Sequence, residues 1–348
     1  MRALTLAATG GIVLTEIEEP SADATPATLV AAAVNPVDRV IATGTMPFRP
    51  LAPGAVAGLS GVVQDAAGGL LYVSAPPAPF GTFADVVPLR GAESVPVPDG
   101  LDPVTAAAIG VPGIAAWLAL HRAAQTQPGE TVLVLGGTGS AGTLAVAAAV
   151  DLGATVLATA RTEAGLEAIG ARGGHGVLAV DADALDAQLA AAGGIDVVID
   201  LTWGMPLAVA ARHLATGARI AQVGNSAGAE ASILAPAFRN RGARIIGHSN
   251  FLASAAEREI AYTAVADLVL RTGLRPAAPT RPLAEGVDAL AQAGAVVLRL
   301  TRGIRTAPTG AAFAAPSPST DCRGGTSCPH PHVATCSPRR SPTSAPGS

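Results

Sequence analysis

A strand followed directly by a glycine-rich turn restricts the fold of this chain more than any other feature. The apolar run TVLVL, residues 131–135, leads into Gly136-Gly137-Thr138-Gly139-Ser140-Ala141-Gly142, after which a helical segment begins. Glycine suits such a turn because side chains would block an approaching phosphate and because the turn requires unusual dihedral angles. Backbone N–H groups and the helix dipole then face an anion. We therefore predict a dinucleotide site that includes Gly136, Gly139, Ser140, Ala141 and Gly142.

Apolar runs alternate with helical segments from residue 131 to residue 271. Strands covered on both faces read as continuous Val, Ile and Leu runs, so this alternation predicts a doubly wound parallel six-stranded sheet of the Rossmann type. The sequence does not determine the strand order. The predicted strands are 131–135, 155–159, 176–180, 196–200, 219–223 and 244–248. The first predicted helix begins at Thr143, and the others span 163–170, 184–192, 206–214 and 254–271, with one short helix before the last strand.

The rest of the chain predicts a second domain of a different kind. Up to Leu101, short β-rich runs are broken by Pro and Gly, which indicates an irregular β domain. A helix over 102–120, with Asp102 as N-cap and Pro103 at its first position, bridges the domains. After a break at 276–282, one helix and one strand have no place in a six-stranded sheet and return to the first domain. The predicted boundaries are 1–115, 116–272, 273–302 and 303–348.

The last segment, 303–348, changes to Ser, Pro, Thr, Arg, Gly and Cys without periodicity, which predicts disorder. It contains all three cysteines, Cys322, Cys328 and Cys336, so the globular body has neither disulfides nor thiolate ligands. The spacing of these cysteines with His330 and His332 fits no established zinc pattern.

Composition excludes several classes of function. The formal net charge is −4 and no basic stripe is present, which argues against nucleic acid as a partner. The chain contains no lysine, so Walker-type phosphate loops and Schiff-base chemistry are excluded. The first apolar run is too short for a signal peptide, and no run reaches the roughly 20 apolar residues of a membrane span. We expect a cytoplasmic protein without membrane association.

The ends of the other Rossmann strands predict which dinucleotide binds. An NAD site carries an acidic residue after the second strand, whereas Arg or hydroxyl donors accommodate the 2′-phosphate of NADP. Here Arg161 and Thr162 follow that strand, and Glu163 starts the next helix, which favours NADPH over NADH. Because ligands bind at the carboxyl ends of such strands, further cofactor contacts are expected from Gly224, Asn225 and Ser249 after the fifth and sixth strands.

Several segments together resemble the medium-chain dehydrogenase/reductase superfamily, in its zinc-free quinone oxidoreductase branch, over about residues 1–302. The segments that carry the resemblance are AVNPVDRVIATG, PGAVAGLSGVV, FGTFADVVPL, PDGLDPVTAAAIGVPGIAAWLAL and QPGETVLVLGGTGSAG. The resemblance implies a GroES-like catalytic domain beside the Rossmann domain. It also implies hydride transfer from NADPH to a quinone or another α,β-unsaturated carbonyl, and it suggests a homodimer.

The resemblance also bears on metals and on catalytic residues. The zinc-dependent branch needs a catalytic Cys and a Gly-His-Glu motif, but the corresponding stretches read Val37-Asp38 and Gly58-Leu59-Ser60, so no zinc is expected. By resemblance, the Asn35 amide lies beside the nicotinamide ribose and the acceptor as a neutral donor; the competing interpretation is a turn-forming Asn before Pro36. For Asp38 we favour a structural role within the same turn.

Some positions depart from the family pattern. Met46 stands where many relatives carry Tyr, Ala295 replaces the closing Gly-Lys, and the lysine that often follows the second strand is absent. Two other functions therefore stay open beside the reductase: a dinucleotide-binding protein without turnover, acting as a sensor or a decayed copy, and an enoyl-thioester reductase. The histidines at 121, 175, 213 and 248 form no spaced cluster, and we expect each to be solvated or at a helix end.

Overall fold

The computed structural model describes residues 1–43, 46, 50–276, 278–292 and 294–300, which belong to one compact unit, Met1–Thr306. The predictions for 303–348, including its cysteines and histidines, lie outside the described residues.

The N-terminal part is built mainly from short strands. Those described are β1 Arg2–Leu6, β2 Ile12–Glu16, β3 Pro26–Val34, β4 Ser60–Gln64, β5 Leu70–Ser74, β6 Val86–Pro88 and β7 Glu93–Pro96, with helix α1 Pro36–Ala42 after β3. β1 and β2 form a hairpin, and β3 pairs antiparallel with both β4 and β6. Proline at the ends of β3, β6 and β7 suits short strands whose ladders stop early. This part is the predicted irregular β layer.

Two helices and a regular alternation follow. The elements are α2 Pro103–Ala108, α3 Gly110–Leu118, β8 Thr131–Leu135, α4 Ser140–Asp151, β9 Thr155–Ala160, α5 Glu163–Gly170, β10 His175–Leu178, α6 Ala182–Ala190, β11 Ile195–Asp200, α7 Gly204–Ala210, β12 Leu214–Gln222, α8 Ala235–Arg239, β13 Arg244–Gly247 and α9 Ala255–Thr272. Among the described strands, six form one parallel sheet in the order β10-β9-β8-β11-β12-β13. This is the doubly wound order of a Rossmann fold, and the predicted fold class is confirmed.

The chain then returns to the first sheet. β14 Thr280–Pro282, α10 Gly286–Ala291 and β15 Val296–Arg299 complete the described elements. β15 pairs antiparallel with β3, and β14 lies parallel to β15 at the edge of that sheet. The sequence predicted only a break over 276–282, whereas the structure has the strand β14 at the end of that range. Pro282 can end this strand because an edge strand has a neighbour on one side only.

Several predicted elements differ from the structure in their bounds. The bridging helix divides into α2 and α3, since Pro112 has no N–H to donate to the turn before it; its predicted cap is confirmed, because Asp102 accepts hydrogen bonds from the N–H groups of Val104 and Thr105. α4 begins at Ser140 rather than Thr143. β12 begins at Leu214, where the predicted helix 206–214 was still expected, because its first residues pair with the start of β11.

An ion pair connects β7 with the long helix α9. Arg258 Nε donates to Glu93 Oε2 at 2.8 Å, and Arg258 Nη2 donates to the second carboxylate oxygen. The same guanidinium donates through Nη1 to the carbonyl of Asn250 at 2.9 Å and to that of Ala253. Both side chains of the pair are largely shielded from solvent. The pair therefore joins β7, α9 and the segment after β13 at one point.

We expect Glu93→Gln to lower the free energy of unfolding at neutral pH by about 1–2 kcal/mol, because hydrogen bonds between charged groups are stronger than hydrogen bonds between neutral groups. The hydrogen bond from Arg258 holds the pKa of Glu93 below its ordinary value of 4.5. The stabilisation is therefore present above that ordinary value and is lost as pH falls through the lowered one. Urea titrations should show the difference between parent and variant shrinking below about pH 4.5. Exposed Glu19→Gln is the control, and a difference independent of pH would contradict this account.

Candidate functional site

The glycine turn closes tightly between β8 and α4. Gly136 has a φ of +89°, in the left-handed region that favours glycine. A Cβ on Gly142 would lie 2.0 Å from the carbonyl oxygen of Gly136, so the first turn of α4 rests directly on the end of the strand. A Cβ on Gly139 would meet only that same oxygen, at 3.6 Å. Gly142 is therefore required by the turn itself, whereas Gly139 faces open space.

The hydrogen bonds of the turn leave the first N–H groups of α4 unused. Gly136 N donates to Thr159 Oγ1 at 2.8 Å, and Gly137 N donates to Thr159 O at 3.0 Å. Within the part of the chain that the structure describes, the N–H groups of Ser140, Ala141 and Gly142 donate no hydrogen bond. Because α4 has 12 residues, these three groups also carry the positive end of a helix dipole. The arrangement is suited to an anion such as a pyrophosphate.

The next strand ends with an exposed cation at the same edge of the sheet. β9 lies beside β8, and Arg161 follows its last residue with an exposed side chain. Arg161 has no ion pair among the described residues. Thr162 caps α5, since its Oγ1 accepts a hydrogen bond from Gly165 N at 3.2 Å, and Glu163 begins that helix, as the sequence predicted. Among the residues that the structure describes, the hydroxyl hydrogen of Thr162 has no acceptor, so it can donate to a ligand.

The loop after β12 is held against the loop after β11. A Cβ on Gly224 would lie 2.6 Å from the carbonyl oxygen of Leu201, so only glycine fits there. Ser226 Oγ donates to the same carbonyl at 3.2 Å, while Asn225 is exposed. Gly224 and Asn225 thus lie at the carboxyl edge of the sheet together with the glycine turn, on a loop of defined shape.

The segment after β13 is tied to the other half of the molecule. Ser249 Oγ accepts a hydrogen bond from Phe251 N at 3.3 Å, so its oxygen is used in a local turn. Asn250 Nδ2 donates to Val111 O at 3.0 Å, and Asn250 Oδ1 lies 3.1 Å from His248 Nε2. Ser249, which we predicted as a cofactor contact, therefore lies in the segment that follows β13 and is hydrogen-bonded to the start of α3.

His248 corrects one sequence prediction. We expected a solvated or helix-end histidine, but its side chain follows β13 and is only 8% exposed. Burial lowers the pKa of His248, and the hydrogen bond with Asn250 opposes that shift only in part. The ring is therefore neutral at physiological pH. His175 is exposed, in agreement with the prediction.

Asn35 and Asp38 form a compact unit at the start of α1. Asp38 Oδ2 accepts hydrogen bonds from Asn35 N at 2.8 Å and from Asn35 Nδ2 at 3.1 Å, and Asp38 Oδ1 accepts one from Leu59 N at 2.9 Å. The structural role predicted for Asp38 is confirmed. Asn35 Nδ2 also donates to Ala33 O at 3.2 Å. Asn35 Nδ2 therefore has two protein acceptors, Ala33 O and Asp38 Oδ2, and its predicted place beside the nicotinamide ribose stays a prediction.

A small cavity of about 10 Å³ is lined by residues from both predicted parts of the site. Asn35, at the end of β3, and Ser140, at the start of α4, both line it, as does Ala295 at the position where we noted a departure. Arg161, Gly224 and Ser249 do not line this cavity. The complete lining is Ala33, Val34, Asn35, Ala108, Ser140, Pro276, Ala278, Ala295, Val296 and Val297.

Asp200, which we did not single out from the sequence, lies at the centre of this edge. Its side chain is fully buried at the end of β11, and burial raises the pKa of Asp200. The available signal was an acidic residue closing the apolar run IDVVID.

In the described ranges, no three His, Cys, Asp or Glu side chains group together as metal ligands. Likewise, none of the helices described has the length and apolar character needed to cross a membrane.

Comparisons with known proteins show that this chain is similar to quinone oxidoreductases. No protein-family model matches the chain. The quinone oxidoreductase of Rattus norvegicus is 30% identical over 206 residues, which cover 56% of this chain and 62% of that protein. The chain thus spans less than two thirds of that relative. A phenolphthiocerol/phthiocerol polyketide synthase polypeptide of Mycobacterium tuberculosis is 30% identical over 220 residues, 59% of this chain but 10% of that protein.

Solved structures extend the similarity over most of the molecule. The quinone oxidoreductase from Thermus thermophilus, solved also in complex with NADPH, superposes with a TM-score of 0.73 at 29% identity. The superposition covers 86% of this chain and 100% of that one.

Proposed function

Because the chain belongs to the medium-chain dehydrogenase/reductase superfamily, on its quinone reductase branch, we propose that it is an NADPH-dependent reductase of quinones or other α,β-unsaturated carbonyls. The observation that carries this proposal is the set of three N–H groups at Ser140, Ala141 and Gly142 that have no partner among the described residues. The exposed Arg161, at the end of the strand next to β8, adds to it. The N–H groups fit a pyrophosphate, and the guanidinium of Arg161 fits a 2′-phosphate.

The residues present fit a dinucleotide along the carboxyl edge of the Rossmann sheet. Gly139, where a side chain would meet nothing closer than 3.6 Å, leaves room for phosphates to approach α4. Arg161 and the hydroxyl of Thr162 would hold the 2′-phosphate. Gly224, Asn225 and the Ser249 segment would contact the nicotinamide half. NADH, which lacks that phosphate, would bind more weakly.

At the other side of the cavity, Asn35 is proposed to line the nicotinamide end. Its amide is fixed by Asp38 and Ala33, so the residue would act by shape and orientation rather than by giving up a proton. Bound NADPH would supply a hydride to the acceptor. Backbone and side-chain donors of the cleft can stabilise the charge that develops on the acceptor oxygen until solvent protonates it.

The reaction is proposed to need no metal in the protein body. The positions that bind catalytic zinc in the metal-dependent branch are Val37-Asp38 and Gly58-Leu59-Ser60, and they offer neither Cys nor His. Hydride transfer to a quinone does not require a Lewis acid when hydrogen-bond donors hold the developing oxyanion. A cytoplasmic location and a homodimer stay predictions from the sequence and the resemblance.

Turnover of NADPH with 1,4-benzoquinone tests the proposal. We expect saturable oxidation of NADPH that depends on both the protein and the quinone. Tight NADPH binding without turnover would instead identify a non-catalytic dinucleotide-binding protein.

The enoyl-thioester alternative has one specific observation in its favour, the similarity of 220 residues to a polyketide synthase polypeptide. A crotonyl thioester is therefore the second substrate to try. Faster NADPH oxidation with the thioester than with benzoquinone would favour this alternative over the quinone reductase.

A further inference from the structure

Asp200 organises the turn that follows β11. Asp200 Oδ1 accepts hydrogen bonds from Thr202 N at 3.0 Å, Thr202 Oγ1 at 3.2 Å and Trp203 N at 2.8 Å. Its backbone carbonyl accepts two more, from Val223 N at 2.8 Å and Gly224 N at 3.1 Å. One residue therefore fixes both its own turn and the start of the loop after β12.

The turn held in this way is strained. Trp203 has a φ of +55°, a conformation that costs a large L-residue about 1–3 kcal/mol. Gly204, at +61°, follows, and a Cβ there would lie 2.7 Å from Ala227 O. A strained turn persists only where its surroundings define it fully. The three bonds to Asp200 Oδ1 are the local constraint that does so.

This strained turn lies between the two halves of the proposed cofactor site. On one side, Thr202 Cγ2 is 3.0 Å from where a Cβ on Gly136 would be, so it abuts the glycine turn. On the other side, Thr202 O accepts a hydrogen bond from Ala227 N at 2.7 Å, and Leu201 O accepts one from Ser226 Oγ at 3.2 Å. Its position sets the spacing between the phosphate site and the proposed nicotinamide loop.

We propose that Asp200 is a positioning residue that holds the 201–204 turn as a spacer, so that the glycine turn engages the pyrophosphate and the 224–228 loop engages the nicotinamide half of the same dinucleotide. This inference rests on the proposed function. The second carboxylate oxygen, Oδ2, is buried and has no partner among the described residues. The side chain therefore holds the turn through the hydrogen bonds that Oδ1 accepts, and an asparagine would retain this acceptor oxygen.

The test compares binding of NADPH with binding of 2′,5′-ADP, which occupies only the adenosine half, by fluorescence and calorimetry. Asp200→Ala should weaken NADPH binding about tenfold or more, because the two halves lose their spacing, while 2′,5′-ADP binding changes less than about threefold. Asp200→Asn should bind NADPH within about threefold of the parent. Gly204→Ala disturbs the same turn without changing the carboxylate, and it replaces Asp200→Ala in the test if that variant does not fold. It too should weaken NADPH binding much more than 2′,5′-ADP binding.

The matched control is Asp196→Ala at the opposite end of the same strand. Asp196 Oδ2 accepts a hydrogen bond from Thr131 N at 2.9 Å, so this variant also removes a carboxylate that supports backbone, but far from the site. It should leave both affinities unchanged. Equal NADPH binding by the parent and Asp200→Ala would overturn the inference, as would equal weakening of both ligands. A parent protein that binds no NADPH would overturn the proposed function instead.

Discussion

Replacing Gly142 with alanine is expected to abolish measurable NADPH binding and to lower the free energy of unfolding by about 3 kcal/mol or more. The added Cβ would lie 2.0 Å from Gly136 O and 2.8 Å from Gly137 Cα, and both are backbone atoms that no rotamer change can move. Overpacking against backbone forces the helix away from the strand. The N–H groups of the first turn would then no longer converge on one point. Fluorescence titration and urea denaturation measure the two effects.

Gly170→Ala is the control for adding a methyl group to a glycine of this domain. Gly170 ends α5, and a Cβ there would meet nothing within 4 Å. Its stability should stay within about 1 kcal/mol of the parent or rise slightly, since alanine favours helix more than glycine does. Wild-type affinity in Gly142→Ala would show that the turn is not the phosphate site.

Arg161→Ala is expected to weaken NADPH binding by about 10- to 100-fold and to leave NADH binding within about twofold. Hydrogen bonds from a guanidinium to a charged partner contribute about 1.5–3 kcal/mol, and each 1.4 kcal/mol is tenfold in affinity. Arg161 is exposed and has no ion pair among the residues described, so its removal should not change the fold. Parallel titrations with the two dinucleotides give the ratio directly.

Arg239→Ala removes another exposed arginine, at the end of α8, and serves as the charge-matched control. It should retain the NADPH preference of the parent. Equal affinities of the parent for NADPH and NADH would contradict the assignment of Arg161, whatever the variant does.

The Rossmann half of the fold was predictable because its information is local. Each buried strand is a run of Val, Ile and Leu, and the turn after β8 is marked by glycines that the backbone needs. Element ends were less accurate. The first residues of α4 are Ser, Ala and Gly, which have no strong apolar period, so the start at Ser140 depends on the tight turn beneath it rather than on helix propensity.

The site was predictable only where one segment defines it. The Asp38 contacts with Asn35 span three residues, and the sequence indicated them. By contrast, the role inferred for Asp200 depends on the approach of the 224–228 loop, which lies far along the chain. The burial of His248 likewise depends on packing around the end of β13. No short pattern records such tertiary contacts.

The central claim is that the N–H groups at the start of α4 receive the phosphates of a dinucleotide, and NADPH titration of Gly139→Ala tests it most directly. Gly139 has a φ of −71°, which alanine adopts readily, and its Cβ would have room in the folded protein. That Cβ would stand where the phosphates approach the helix. We expect unfolding within about 1 kcal/mol of the parent and NADPH affinity at least about tenfold weaker. Unchanged NADPH affinity in this variant would contradict the claim.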